Sequence, residues 1–287
     1  MFEITTVILA AGEGTRMRSA LPKPLHPICG RPMIDYPLRA ARLAGAKKVL
    51  VVAPSKGKDP VARHLKIFNN VEVVEQKKPR GTGDAVRSCR RQLNGGSILI
   101  LCGDNPLIRP ETLQAFLKRV RENDATLGFI TTRLSDPAGY GRVVRDRSGE
   151  VVRIVEEKEC SPQQKNIREI NSGIYCVKAD WLLPVLEKLK PHPVKQEYYL
   201  TDIIEQAIGE KKKLVGFFSE AAEEFLGVNT QEHLSIANRA MRERLVKLWM
   251  ERGVSFLDHA QVYLYSDVQI GAGSVIYPQV YLRGKTR

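Results

Sequence analysis

Four short runs of aliphatic and β-branched residues, "TTVILA" from Thr5, "KKVLVVA" from Lys47, "VEVVE" from Val71 and "SILILC" from Ser97, are separated by amphipathic segments of helical length. Hairpins cannot span such spacers, so the pattern demands parallel βαβ units and a doubly wound α/β sheet, with helices expected over 35–45, 58–67 and 82–93. Ligands of such sheets sit outside the carboxyl ends of the strands. The loops after Ala10, Glu75 and Cys102 are therefore where chemistry belongs.

Residues 125–177 change character. "ATLGFITT", "GRVVRD", "EVVRIVEE" and "INSGIYCV" read as strands joined by "DPAGYG" and "RSG" turns, a β-rich insertion forming a lid or acceptor lobe. Helical patterns return at 179–189 and 198–208, and a long helix follows with Thr230 as its start signal and Gly253 as its stop. Beyond Gly253, Val262, Val268, Ser274 and Val280 recur every six residues, as do Leu264, Ile270, Ile276 and Leu282. That period marks a parallel β-helix, of which fewer than two coils are present.

The chain has 287 residues, 43% of them apolar, and a formal charge of +13. No apolar stretch approaches the roughly 18 residues of a membrane span, and "MFEITTVILAAG" has no basic leader, so a cytoplasmic location is expected. Cys29, Cys89, Cys102, Cys160 and Cys176 show no zinc spacing and read as reduced thiols. The charge suits nucleic acid, a membrane surface or small phosphorylated ligands, and equally a basic solvated surface. Without a helix-turn-helix, zinc-finger or RNP signature it does not argue for nucleic acid.

Two phosphate motifs fail on inspection. The third glycine of a dinucleotide fingerprint after Gly12 and Gly14 is replaced by Met17, and "GKT" from Gly284 lacks its earlier glycine, which is Gln279. What survives is a strand-end loop whose small residues, Ala10, Ala11, Gly12 and Gly14, let backbone NH groups approach an anion. Arg16, Arg18 and Lys23 add positive charge there, as a triphosphate would require.

"LAAGEGTRM" with "LPKPLHPICGRPMI" resembles the signature of sugar-1-phosphate nucleotidyltransferases. "EQKKPRGTGDAV", "CGDNPL", "DPAGYGRVV", "IVEEKE", "EINSGIY", "EYYLTDII" and "GVNTQEHL" follow in the order found in bacterial bifunctional N-acetylglucosamine-1-phosphate uridyltransferase/glucosamine-1-phosphate acetyltransferases. The resemblance implies a Rossmann-like, GT-A-like mixed sheet flanked by helices over 1–229, a linker helix over 230–253, and an incomplete left-handed hexapeptide-repeat β-helix over 254–287. It implies uridylyl transfer from UTP to N-acetylglucosamine 1-phosphate, giving UDP-N-acetylglucosamine and pyrophosphate.

By the same resemblance, Leu9, Ala10, Ala11, Gly12, Lys23, Gln76, Gly81 and Thr82 hold the nucleotide. Gln76 offers a donor and an acceptor to a uracil edge. Asp104 and Asn229 are expected to bind Mg²⁺, a hard cation suited to oxygen ligands. Gly141, Glu156, Asn171 and Asn229 are expected at the amino sugar, with "EYYLTDII" shaping the site. An acceptor phosphate is already an anion, so no base is required, and catalysis falls to positioning and to charge neutralisation by Mg²⁺, Arg16 and Lys23, with Asp104 catalytic as the ligand of the ion.

Cys102, Asn105 and Asp84 depart from the family's usual residues. The acetyl-transfer site of the family lies on later coils, so that activity is not expected here, and the family's homotrimer has little β-helix to form on. Transfer to glucose 1-phosphate from UTP or dTTP, and a non-catalytic regulatory subunit, are the alternatives.

Overall fold

The computed structural model describes residues 3–54, 59–193 and 196–287. The first residue of the helix expected over 58–67 lies outside them, as do Met1 and Phe2 of the "MFEITTVILAAG" segment; the helix itself forms as Pro60–Leu65.

Among the described residues, nine strands make the main sheet. They are β1 (Ile4–Leu9), β2 (Lys48–Ala53), β3 (Val71–Glu75), β4 (Ser97–Cys102), β5 (Leu127–Arg133), β6 (Arg142–Arg145), β7 (Val151–Val155), β8 (Glu169–Lys178) and β9 (Leu214–Phe218). The spatial order is β9-β5-β8-β4-β1-β2-β3, with β6 pairing β8 and β7 pairing β6. The four strands read from their apolar runs are parallel neighbours, β4-β1-β2-β3, as βαβ logic requires. Strand β8 enters antiparallel to both β4 and β5, so the whole sheet is mixed.

The expectation of an insertion over 125–177, forming a lid or acceptor lobe, is corrected in part here. β5 and β8 are integral to the sheet, and only the β6–β7 hairpin extends from it. The sequence pattern could not show this, because pairing partners lie far apart along the chain. The helix Pro110–Glu122 and strand β9 had no counterpart in the sequence reading.

Central strand β1 alternates between two cores: Val7 packs on one face with Ala85, Val86, Leu182 and Ile203, Ile8 on the other with Leu38, Leu113 and Phe116. Burial on both faces explains its unbroken apolar run. A third core joins Met17, Ile28, Cys29 and Met33 to Ala237 and Met241 of the helix Gln231–Glu251. Met17, the residue that breaks the dinucleotide fingerprint, is thus a core residue. The long helix starts as expected, with Thr230 Oγ1 accepting from the His233 amide at 3.1 Å.

Beyond Gly253, Ser255–Phe256 pairs in parallel with Val275–Ile276, and Tyr263–Leu264 with Tyr281–Leu282. Val262 and Leu264 are buried against Val246 and Trp249 of the long helix. All five cysteines are free thiols, and no described helix is long and apolar enough to cross a membrane.

Candidate active site

Three loops leave the carboxyl ends of β1, β3 and β4, and their first residues are tied to neighbouring strands. The Ala10 amide donates to Val52 O, the Gln76 amide to Ala53 O and the Gly103 amide to Leu9 O, each at 2.9 Å. These loops form the floor of a cavity of about 290 Å³. Leu9, Ala10, Ala11, Gly12, Lys23, Gln76, Gly81 and Thr82 all line it, so the eight residues expected at a nucleotide come together. Among the described residues, no atom other than those of Gly12 and its chain neighbours lies within 4 Å of where a Gly12 Cβ would stand, so the space beside it is open.

A second cavity of about 210 Å³ adjoins the first and shares Leu9, Thr82, Cys102 and Asp104 with it. Gly141, Glu156, Asn171 and Asn229 line this one. Strand β8 supplies its wall through a register shift between Asn171 and Tyr175, with Gly173 at φ +78°. Such a bulge re-aims side chains, and here it turns Asn171, Ser172 and Tyr175 toward one space.

At the junction, Lys23 Nζ stands 2.5 Å from Asp104 Oδ2 and donates to Asn229 Oδ1 at 3.0 Å. Arg16 lines neither cavity but donates to the same Asn229 oxygen at 3.0 Å. Two oxygens therefore converge on one cationic point, with a guanidinium beside them. Among the described residues no histidine lines either cavity.

The segment Glu197–Thr201 spans both spaces. The Gly83 amide donates to Tyr198 O and the Tyr198 amide to Arg80 O, both at 2.8 Å, while Thr82 Oγ1 accepts from the Leu200 amide at 3.0 Å. One residue further on, Thr201 Oγ1 donates to Glu156 Oε1 at 3.0 Å. Burial pushes the Glu156 carboxyl above the usual carboxylate range, outweighing that bond.

The sequence model of the nucleotidyl transferase family matches residues 5–254. The chain belongs to that family. It is similar over its whole length to the bifunctional protein GlmU of Geotalea daltonii and to that of Pelobacter propionicus, each 41% identical and covered for 63% of its own length. The bifunctional protein GlmU of Clostridioides difficile is 38% identical over 98% of the chain and 61% of that relative. The chain thus spans less than two thirds of these relatives.

Several lining residues of this nucleotidyl transferase escaped the sequence reading. Tyr140 and Thr201 lie inside quoted motifs, which pointed at the segment and not at the side chain. Tyr175 sits in a strand where an aromatic reads as core, and its hydroxyl accepts from Asn171 Nδ2 at 2.6 Å. Of the departures, Cys102 lines both cavities, and burial and then Asp104 push its thiol up to about 12. Asn105 is buried and donates to Phe225 O at 3.5 Å.

Proposed function

We propose that this chain transfers a uridylyl group from UTP to N-acetylglucosamine 1-phosphate, giving UDP-N-acetylglucosamine and pyrophosphate. The observation that carries the reading is the pair of adjoining cavities meeting at Lys23, Asp104 and Asn229. The first takes the nucleotide, the second the sugar phosphate. An oxygen of the acceptor phosphate attacks the α-phosphorus in line, and the bond to the β-phosphate oxygen breaks with its electron pair leaving on pyrophosphate.

No proton moves in this step, so the cavities need no base. Lys23 and Arg16 offset charge on the attacking and leaving phosphates, while Glu156, Asn171 and the backbone at Gly141 orient the sugar. Asp104 and Asn229 fit a Mg²⁺ ion, since their oxygens already converge on a cation. Among the described residues no three His, Cys, Asp or Glu side chains group to hold a metal alone, which suits an ion that shares its shell with phosphates. When bound, the ion supplies neutralisation of phosphate charge.

In this reading residues 1–229 perform the transfer, 230–253 form a linker helix, and 254–287 begin a left-handed parallel β-helix. The parallel pairing of Tyr263–Leu264 with Tyr281–Leu282 supports the last part. Pyrophosphate release with Mg²⁺, across four nucleoside triphosphates and several sugar 1-phosphates, tests the activity. The greatest release is expected for UTP with N-acetylglucosamine 1-phosphate, and no release with any pair would overturn it.

A further inference from the structure

Gln76 is 5% exposed, and its amide nitrogen is committed inside the protein. Nε2 donates to Gly81 O at 3.2 Å and to Asp84 Oδ2 at 3.0 Å. An amide nitrogen carries two hydrogens, so no donor remains for a ligand, which corrects the expectation that Gln76 offers a uracil edge both a donor and an acceptor. Oε1 accepts from no described residue, is not a buried orphan, and belongs to a side chain that lines the nucleotide cavity.

Asp84 is itself fixed. Its Oδ1 accepts from Arg80 Nη2 at 2.9 Å and from Arg87 Nη2 at 2.8 Å, which leaves Oδ2 for Gln76. The Arg87 guanidinium lies 4.5 Å from the centre of the Tyr198 ring, which braces it from the other side. Burial alone would raise the Asp84 carboxyl, but the bonds from Gln76, Arg87 and Arg80 outweigh it and hold it below the usual range. An ionised carboxylate only accepts. Turning the Gln76 amide over would set its oxygen against two acceptors, Asp84 Oδ2 and Gly81 O.

Building on the uridylyl-transfer reading, we propose that Asp84 sets base selectivity by holding Gln76 with its acceptor toward the base. Uracil carries an N–H at ring position 3, between two carbonyls, where cytosine carries a bare nitrogen. An acceptor pairs with the first and meets the lone pair of the second. A site built around one hydrogen bond rejects an analogue that cannot complete it, because the buried partner is left unpaired. Asp84 acts through Gln76 and is a positioning residue.

Asp84→Asn reverses the arrangement at nearly constant volume. Arg80 and Arg87 require an oxygen at the Oδ1 position, so the new amide nitrogen falls where Oδ2 stood and donates to Gln76. Gln76 must then turn its oxygen inward and present its NH₂ to the base, opposed only by Gly81 O. Asp84→Ala removes the carboxylate without supplying that donor, and frees Gln76 in part.

The test is pyrophosphate release by the full chain with Mg²⁺ and N-acetylglucosamine 1-phosphate, with kcat/KM measured for UTP and for CTP. The UTP-to-CTP ratio is expected to fall by about tenfold or more in Asp84→Asn, and by less in Asp84→Ala, each checked by thermal melting. Structural damage alone would lower both values together and leave the ratio unchanged. A folded variant of either kind that keeps the wild-type ratio overturns the role of Asp84 while the uridylyl-transfer reading stands. Wild-type protein that turns over no triphosphate sinks both.

Discussion

Lys23 and Asp104, 81 positions apart in sequence, meet as an ammonium and a carboxylate 2.5 Å apart. The lysine opens a single helical turn, Lys23–Leu25, between Pro22 and Pro24; the aspartate follows β4. Asp104→Ala leaves Lys23 facing only Asn229 among the described residues and removes the carboxylate that, in the proposed reading, helps hold Mg²⁺. Turnover is expected to fall by about 10²–10³, the scale of losing one electrostatic stabiliser of a transition state. Pyrophosphate release at saturating substrates checks this, and wild-type turnover in a folded variant would refute the junction as the reacting centre.

Arg16 is exposed and reaches the site through one bond, to Asn229. Arg16→Ala is expected to leave the melting temperature within a degree or two, as exposed substitutions usually do, and to cut kcat by about tenfold or more. A fall in stability without a fall in kcat would mean that the guanidinium braces the loop and nothing else.

Glu156 ties chemistry to pH. A carboxyl raised by burial binds its proton more tightly folded than unfolded, so its contribution to stability is complete below the ordinary glutamate range. It is lost as pH rises through the raised folded value. Glu156→Gln does not titrate. Its melting temperature is expected to gain on the wild type as pH climbs from about 4 to neutrality, while its KM for the sugar phosphate rises. A difference that stays flat or shrinks with rising pH would contradict the buried-carboxylate assignment.

Gly81 has φ +97°, and a Cβ there would stand 2.5 Å from Tyr198 O and 2.8 Å from Tyr198 N. Both atoms are backbone, so no rotamer change relieves the clash. Gly81→Ala is expected to cost about 1–3 kcal/mol of stability and to weaken both substrates, because the displaced segment continues to Thr201, which donates to Glu156. Chemical denaturation with paired KM measurements tests this. An unchanged KM for the sugar phosphate would show that the two ends of the segment move independently.

The parallel half of the sheet was legible because strands buried on both faces leave unbroken apolar runs, as Val7 and Ile8 do in β1. The three strand-end loops followed from that topology. Strand β8 was misplaced for the opposite reason: its pairing with both β4 and β5 depends on contacts across the chain, and no local pattern encodes it. Gln76 was reached through the family resemblance that "EQKKPRGTGDAV" carries. Its fixed orientation was not, since Arg80, Asp84 and Arg87 read locally as one more charged helix face.

The amides of Ala10, Gln76 and Gly103 are bound to carbonyls of β2 and β1, both flanked by strands on each side. Hydrogen exchange at these three positions should therefore be as slow as in β1 itself, opening only with the central sheet. A nucleotide arriving at this floor finds it rigid beforehand. The entropy of ordering it is spent when the chain folds, and binding energy stays available for aligning the two phosphates that must react.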